Sequence, residues 1–198
     1  MVLAFNKWSM DGIVVQDPGL VNYISLEPRV VPKSGARYAG RRFHKGKIFI
    51  VERLINKLMI NTHKSKDHYI QKSGSQTGKA ITTYNIVKKT FEIIEQKTNE
   101  NPISVFVKAL ENASPREGVV TIEYGGARYP KAVDIAPLRR IDLALRYMAQ
   151  GAIQKSFQKK KTIEQTLADE ILNAYNFNTA SAAIAKKVEL ERQADSSR

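Results

Sequence analysis

The sequence predicts a mainly α protein, a single helical-bundle domain of about six helices with a protruding two-stranded β-ribbon and an irregular basic N-terminal tail. Three observations predict it. Apolar residues recur at helical spacing in successive stretches from Ile48 onward. A Gly125-Gly126 pair sits between alternating apolar and polar residues, as a tight hairpin needs, because both turn residues take positive φ angles. The front of the chain, by contrast, holds turn formers and no sustained period. The expected organisation is therefore an irregular extension over 1–47 and a helical domain over 48–198, with the ribbon at about 118–136.

Taken in order, Asp17-Pro18-Gly19, Glu27-Pro28, Val31-Pro32 and Ser34-Gly35 break up the extension, which is expected to need a partner to order it. From Pro28 to Lys47 it carries Arg29, Lys33, Arg37, Arg41, Arg42, Lys45 and Lys47 with no carboxylate. Tyr38 and Phe43, interleaved with those charges, can stack on unpaired bases or pack the tail onto the core. Ile48, Val51, Leu54, Ile55, Leu58 and Met59 predict a helix from Lys47 to about Asn61, with Arg53 and Lys57 off the apolar stripe. Thr62 to Gly78 reads as a basic loop.

A second helix is expected from about Gly78 to Thr98, with Ile81, Tyr84, Val87, Phe91 and Ile94 on one side. Asn101-Pro102 supplies an N-cap and a first-turn proline for a third helix burying Val105, Phe106, Ala109 and Leu110, which Ser114-Pro115 ends. The ribbon follows. A two-residue turn sets Tyr124 opposite Ala127, Glu123 opposite Arg128 and Ile122 opposite Tyr129. Pro137 then opens a helix, since the N–H it lacks would have no partner there, with Leu138, Ile141, Leu145, Met148 and Ala152 toward the core. Thr162-Ile163-Glu164-Gln165 has the form of a capping box for a fifth helix burying Ile163, Leu167, Ile171 and Leu172. A sixth runs from Thr179 to about Ala194.

The 198 residues carry a formal net charge of +13 and a sequence pI of about 9.9. Such an excess attracts a polyanion, with nucleic acid the leading partner and an anionic membrane surface behind it. With no cysteine, disulfides and thiolate metal sites are excluded. Neither a signal-peptide core nor a membrane-length apolar run is present, so the expected location is the cytoplasm.

Enzyme motifs are weak. Gly74-Ser75-Gln76-Thr77-Gly78-Lys79-Ala80 is one residue short of a phosphate-binding loop and has Ala80 where the magnesium-binding hydroxyl belongs. His44, His63 and His68 lie among basic residues with no ligand cluster. Carboxylates at Glu92, Glu95, Glu164, Asp169 and Glu170 fit helix ion pairs. No catalytic residue, metal or cofactor is implied. The arginines are the stronger signal, because guanidinium forks match phosphate oxygens and stack on bases. Arg139 and Arg146 share a face of the Pro137 helix with Arg140 beside them, and Arg116, Arg128 and Lys131 add charge to the ribbon and its approach. Tyr129 fits either base stacking or packing on Ile122. Two rivals stay open: a DNA-binding helical regulator, which would show a helix-turn-helix and paired half-sites, and a nucleotide hydrolase using Lys79.

The residues also carry a resemblance. Ile50-Val51-Glu52-Arg53-Leu54-Ile55-Asn56-Lys57-Leu58-Met59, Ala109-Leu110-Glu111-Asn112-Ala113-Ser114-Pro115-Arg116-Glu117, Gly125-Gly126-Ala127-Arg128-Tyr129 and Ala132-Val133-Asp134-Ile135-Ala136-Pro137-Leu138-Arg139-Arg140 resemble the universal small-subunit ribosomal protein seven family. Lys187-Val188-Glu189-Leu190-Glu191-Arg192 is similar too, and Leu26-Glu27-Pro28-Arg29 looks like the archaeal and eukaryotic members. The likeness runs from about Asn6 to the last residue, while the front tail and the Thr62 to Gly78 segment depart from the bacterial pattern. It implies a helical core with a β-ribbon, a primary binder of ribosomal RNA that nucleates assembly of the small-subunit head. The partners implied are that RNA, neighbouring small-subunit proteins including a platform protein at the C-terminal part, exit-site tRNA and messenger RNA. Ribosomal RNA would then meet Arg29, Lys33, Arg37, Arg41, Arg42, Lys45, Lys47, Arg53, Lys57, Lys79, Arg116, Lys131, Arg139, Arg140, Arg146 and Lys155. The ribbon tip near tRNA and messenger RNA would comprise Tyr124, Gly125, Gly126, Ala127, Arg128 and Tyr129.

Overall fold

Phe91 and Phe106, both fully buried, meet with ring centroids 5.9 Å apart and planes tilted by 46°, and helices pack around them. The computed structural model describes residues 2–35, 37, 40–60, 62–63, 71–72 and 78–198, of which 62–63 and 71–72 through their backbone alone. In chain order the elements are α1 (Ile50–Met59), β1 (Thr62–His63), β2 (Gln71–Lys72), α2 (Ala80–Thr98), α3 (Pro102–Ala113), β3 (Glu117–Tyr124), β4 (Ala127–Asp134), α4 (Pro137–Ser156), α5 (Ile163–Tyr175) and α6 (Ala182–Asp195). Short 3-10 turns at Val21–Tyr23 and His44–Lys47 precede them. The architecture is mainly α with one long β-hairpin, as expected.

The core is apolar and drawn from every helix. Leu54 and Leu58 of α1, Val87, Phe91 and Ile94 of α2, Phe106 and Leu110 of α3, Leu145 and Met148 of α4, Leu167 and Ile171 of α5 and Ile184 of α6 are all buried. Ile81, expected on the buried side of α2, is exposed instead, because the first turn of that helix borders an open groove. The extension is irregular, yet its front half is part of the core. Phe5 and Trp8 are buried against Phe91 at 6.1 and 5.8 Å, and Leu20 and Ile24 are buried too. The backbone of Ile50 donates to Ser25 O at 3.1 Å, which ties the extension to the start of α1. The expected need for an outside partner is therefore corrected for this half: burial of large apolar side chains orders it without one.

Local signals account for the helix ends. The Asn101 side chain accepts from Ile103 N at 3.0 Å and caps α3, with Pro102 in the first turn. Thr162 does stand at the N-cap of α5, but its side chain makes no cap bond, so the expected capping box is present in position only. The start of α6 is capped by Ser181, whose side chain accepts from Ile184 N, and is also served from outside. Glu170 of α5, fully buried, accepts from Ser181 Oγ at 2.7 Å and Ala183 N at 3.2 Å, placing a carboxylate at the positive end of α6. Gly151 makes that approach possible: a Cβ there would come within 2.7 Å of the Ala182 Cβ.

In the ribbon, β3 and β4 pair antiparallel with Ile122 opposite Tyr129, Glu123 opposite Arg128 and Tyr124 opposite Ala127, the expected register. Gly125 and Gly126 take φ of 58° and 84°, so the turn has the positive angles that only glycine adopts without strain. Most of the segment expected to be a basic loop, with its Gly74 to Thr77 stretch and His68, lies outside the described residues, as does Tyr38. Thr62–His63 and Gln71–Lys72 do pair antiparallel, so the loop reading is corrected at those two places.

Candidate nucleic-acid interface

Positions four apart share one helix face, which sets Arg53 beside Lys57 on α1 and Asp142 beside Arg146 on α4. The His44–Lys47 turn brings Lys45 to the same place. Arg53 Nη2 donates to Asp142 Oδ1 at 3.1 Å, Lys45 Nζ donates to Asp142 Oδ2, and Lys57 Nζ stands 3.9 Å from Oδ1. Arg146 lies close enough to Lys57 to lower its pKa. Three cations thus meet one carboxylate, with Arg146 beside Lys57, leaving a positive excess.

Burial and the neighbouring charges act together on both Asp142 and Lys57. Burial alone would raise the Asp142 carboxyl, but the Lys45 hydrogen bond and the Lys57 and Arg53 charges outweigh it and hold the group below its ordinary value. Lys57 is lowered, first by burial and then by repulsion from Arg146, Lys45 and Arg53, with Asp142 compensating only in part. Such a cluster is under-neutralised, so an incoming anion would relieve it.

Arg53 is 5% exposed and also donates to Tyr23 O at 3.2 Å. It is a pillar under the cluster, which corrects its expected place off the buried stripe. Arg140 is likewise turned inward. At 8% exposure it donates from Nε to Pro115 O at 3.1 Å and from Nη2 to Asp17 Oδ2 at 2.6 Å. Burial would raise Asp17, but Arg140 and the Gly19 N–H bring its carboxyl below the ordinary value. Arg140 therefore fastens the extension to the entry of the ribbon and presents no charge outward, against expectation. Arg139 and Arg146, its neighbours on α4, are exposed. Lys155 is half-buried and engaged by Glu170 Oε2 and Ala180 O, both at 2.7 Å, so it holds α4 to α5.

The tail cations divide into two groups. Arg29, Lys33 and Arg37 line a small cleft of about 300 Å³. Lys33, Arg41 and Lys45 border the larger groove, with Ile48, Ile55 and Ile81 along it. Arg42 lies over the Phe43 ring at 4.7 Å, and Lys47, Lys79 and Arg116 are exposed. On the ribbon, Tyr124, Ala127, Arg128, Tyr129 and Lys131 are exposed, and Arg128 Nε stands 3.7 Å from Glu123 Oε2. The structure thus gathers Lys45, Lys57 and Arg146, with Arg53 beneath them, and leaves the ribbon cations apart. Sequence reasoning missed Asp142 and Asp17. For Asp142 the available signal was a single carboxylate at one-turn spacing before Arg146 on an arginine-rich helix.

Among the described residues no group of three or more His, Asp or Glu side chains could hold a metal, and no helix is long and apolar enough to cross a membrane. Fold and face define a class: a basic helical body carrying a β-arm, with an exposed positive surface suited to a polyanion. The chain belongs to the ribosomal protein S7p/S5e family, a family of structural, non-enzymatic proteins, whose pattern matches residues 20–198. It is 52% identical over 194 residues to the small ribosomal subunit protein uS7 of Nanoarchaeum equitans, covering 98% of each chain. It is 49% identical to the uS7 of Archaeoglobus fulgidus, over 100% of this chain and 95% of that one. With the uS7 of Methanothermobacter thermautotrophicus the identity is 46%, over 99% of both. Phe5 and Trp8 lie ahead of the family pattern, although these relatives align over nearly the whole chain.

Proposed function

We propose that this protein is a structural constituent of the small ribosomal subunit that binds ribosomal RNA by neutralising phosphates at a folded junction. The observation that carries this is the under-neutralised cluster of Lys45, Arg53, Lys57 and Arg146 around Asp142, supported by family membership. Arg29, Lys33, Arg37, Arg41, Arg42, Lys47, Lys79, Arg116 and Arg139 extend the charge over the exposed surface. Arg140 and Lys155 act from below as braces. Recognition is mainly of shape and backbone, because the deep groove of an RNA helix hides its base edges.

Within the subunit, this binding nucleates assembly of the head. The ribbon tip, Tyr124 to Tyr129, stands near exit-site tRNA and departing messenger RNA, and a platform protein meets the C-terminal part. The family resemblance supports this finer reading. Binding to a small-subunit ribosomal RNA junction is expected to weaken by about 0.7–0.9 log units per log unit of salt for each phosphate neutralised. A filter-binding titration tests it, and an affinity independent of salt contradicts it. A comparison with duplex DNA of equal length separates it from the DNA-regulator alternative, which requires tighter DNA binding.

A further inference from the structure

Glu52 of α1 is 3% exposed, and its Oε1 accepts from Ser34 N at 2.8 Å and from Ser34 Oγ. Its Oε2 is buried with no hydrogen-bond partner, which costs free energy and calls for a donor. Glu52 lines the larger groove, a space of about 1210 Å³ between the 31–35 stretch, α1 and the first turns of α2. It is the only carboxylate among the described residues that border that groove. The walls are apolar, with Ile48, Ile55, Ile81 and Tyr84, and the exposed cations Lys33, Arg41 and Lys45 stand along them. Phe43 completes the lining. Its φ of 62° is rare for a bulky residue, its ring is 65% exposed, and the Arg42 guanidinium lies over that ring at 4.7 Å. Backbone strain that holds an aromatic ring open to solvent is the kind found at ligand-binding positions.

We propose that this groove is a subsite for one unpaired guanine nucleotide of RNA, read at its Watson–Crick edge by Glu52. Apolar walls and an open aromatic ring suit a flat base, and Lys33, Arg41 and Lys45 suit the phosphates on either side of it. Guanine fits a lone acceptor best. Its N1–H and N2 amino group are adjacent donors, so both can point at one carboxylate oxygen with two lone pairs. Adenine and cytosine place a ring-nitrogen acceptor beside their amino group, and uracil flanks its one N–H with two carbonyls. Each of those bases would bring an acceptor against the carboxylate. A free anion is repelled by Glu52 and a free cation by the three basic residues, whereas a nucleotide satisfies both. The site deepens the RNA-binding function proposed above and rests on it, adding base readout to a surface that otherwise reads backbone and shape.

The test is fluorescence anisotropy of the full chain with labelled uridine heptamers whose central base is guanine, adenine, cytosine or uracil. The guanine heptamer is expected to bind about tenfold more tightly than the other three. Hypoxanthine in place of that guanine lacks the N2 amino group and is expected to weaken binding about threefold or more. In the chain, Glu52→Gln keeps an oxygen for Ser34 and sets an NH2 where Oε2 stood. It is expected to abolish the guanine preference while affinity for the all-uridine heptamer and the urea midpoint stay unchanged. Equal binding of the four heptamers, a hypoxanthine heptamer that binds as well as guanine, or a Glu52→Gln chain that keeps the preference overturns the site. Should Glu52→Gln fail to fold, the base series on the parent chain decides alone. A steep salt slope on the ribosomal RNA junction without any base preference overturns this site only, whereas failure to bind that junction overturns the RNA-binding function itself.

Discussion

Around Asp142, charges from the extension, α1 and α4 are drawn together and partly buried, whereas at the ribbon tip Glu123 and Arg128 face one another at 3.7 Å in open water. Both regions hold cations near a carboxylate, yet they differ in kind. The first keeps a positive excess in a setting where desolvation strengthens charge interactions. The second is balanced and screened, and exposed pairs of that sort contribute little. A count of arginines and lysines therefore does not distinguish the two regions; where the counter-charges sit does.

The largest effect is expected from Arg140, which fastens the extension to the entry of the ribbon. Arg140→Ala leaves Asp17 without its partner and should cost about 2–4 kcal/mol, a little below the roughly 3–5 of a fully buried pair. Urea denaturation measures it, and a loss under about 1 kcal/mol would mean that the brace is dispensable. Next in size is the contrast in RNA binding. Removing Lys57 and Arg146 together should lower the salt slope by about 1.5 and the affinity about tenfold, whereas removing Arg128 and Lys131 should change the slope by less than about 0.5. Filter binding at several salt concentrations decides, and equal changes for the two pairs would erase the distinction.

A smaller effect comes from acid. The Asp142 carboxyl is held below its ordinary value, so its stabilisation is fully present above about pH 5 and is lost as pH falls through the lowered value. Denaturation across that window should show Asp142→Asn weakening the protein at pH 7 and converging with the parent at low pH; a constant difference would point to another cause. At the ribbon turn, where Gly126 has a φ of 84°, Gly126→Val should cost about 1–2 kcal/mol locally, with the helical circular-dichroism signal unchanged. Smallest of all, Glu123→Ala should shift stability by less than about 0.5 kcal/mol.

The same contrast explains what the sequence made legible. The register of the ribbon was readable to the residue, because a two-residue turn fixes every pair above it. Helix positions followed from apolar spacing for the same local reason. The inward turn of Arg53 and Arg140 was not readable, since their carboxylate partners lie 89 and 123 residues away and periodicity carries no information about which distant group arrives. Phe5 and Trp8 were missed because two aromatic residues in a stretch without period give no sign that a core has room for them. Ile81 erred in the opposite direction: it keeps the period of α2, but the first turn of that helix borders open space. At Thr162 the motif identified the cap position, while the side-chain geometry did not form the bond.

The central claim is that the helical body with its Asp142 cluster supplies the electrostatic grip on RNA and the ribbon does not. It is tested most directly by a salt titration of binding to a small-subunit ribosomal RNA junction, comparing the full chain with one in which residues 121–130 are replaced by a Gly-Gly turn. Both chains should show the same steep slope. A slope that flattens when the ribbon is shortened, or one already flat in the full chain, would contradict it.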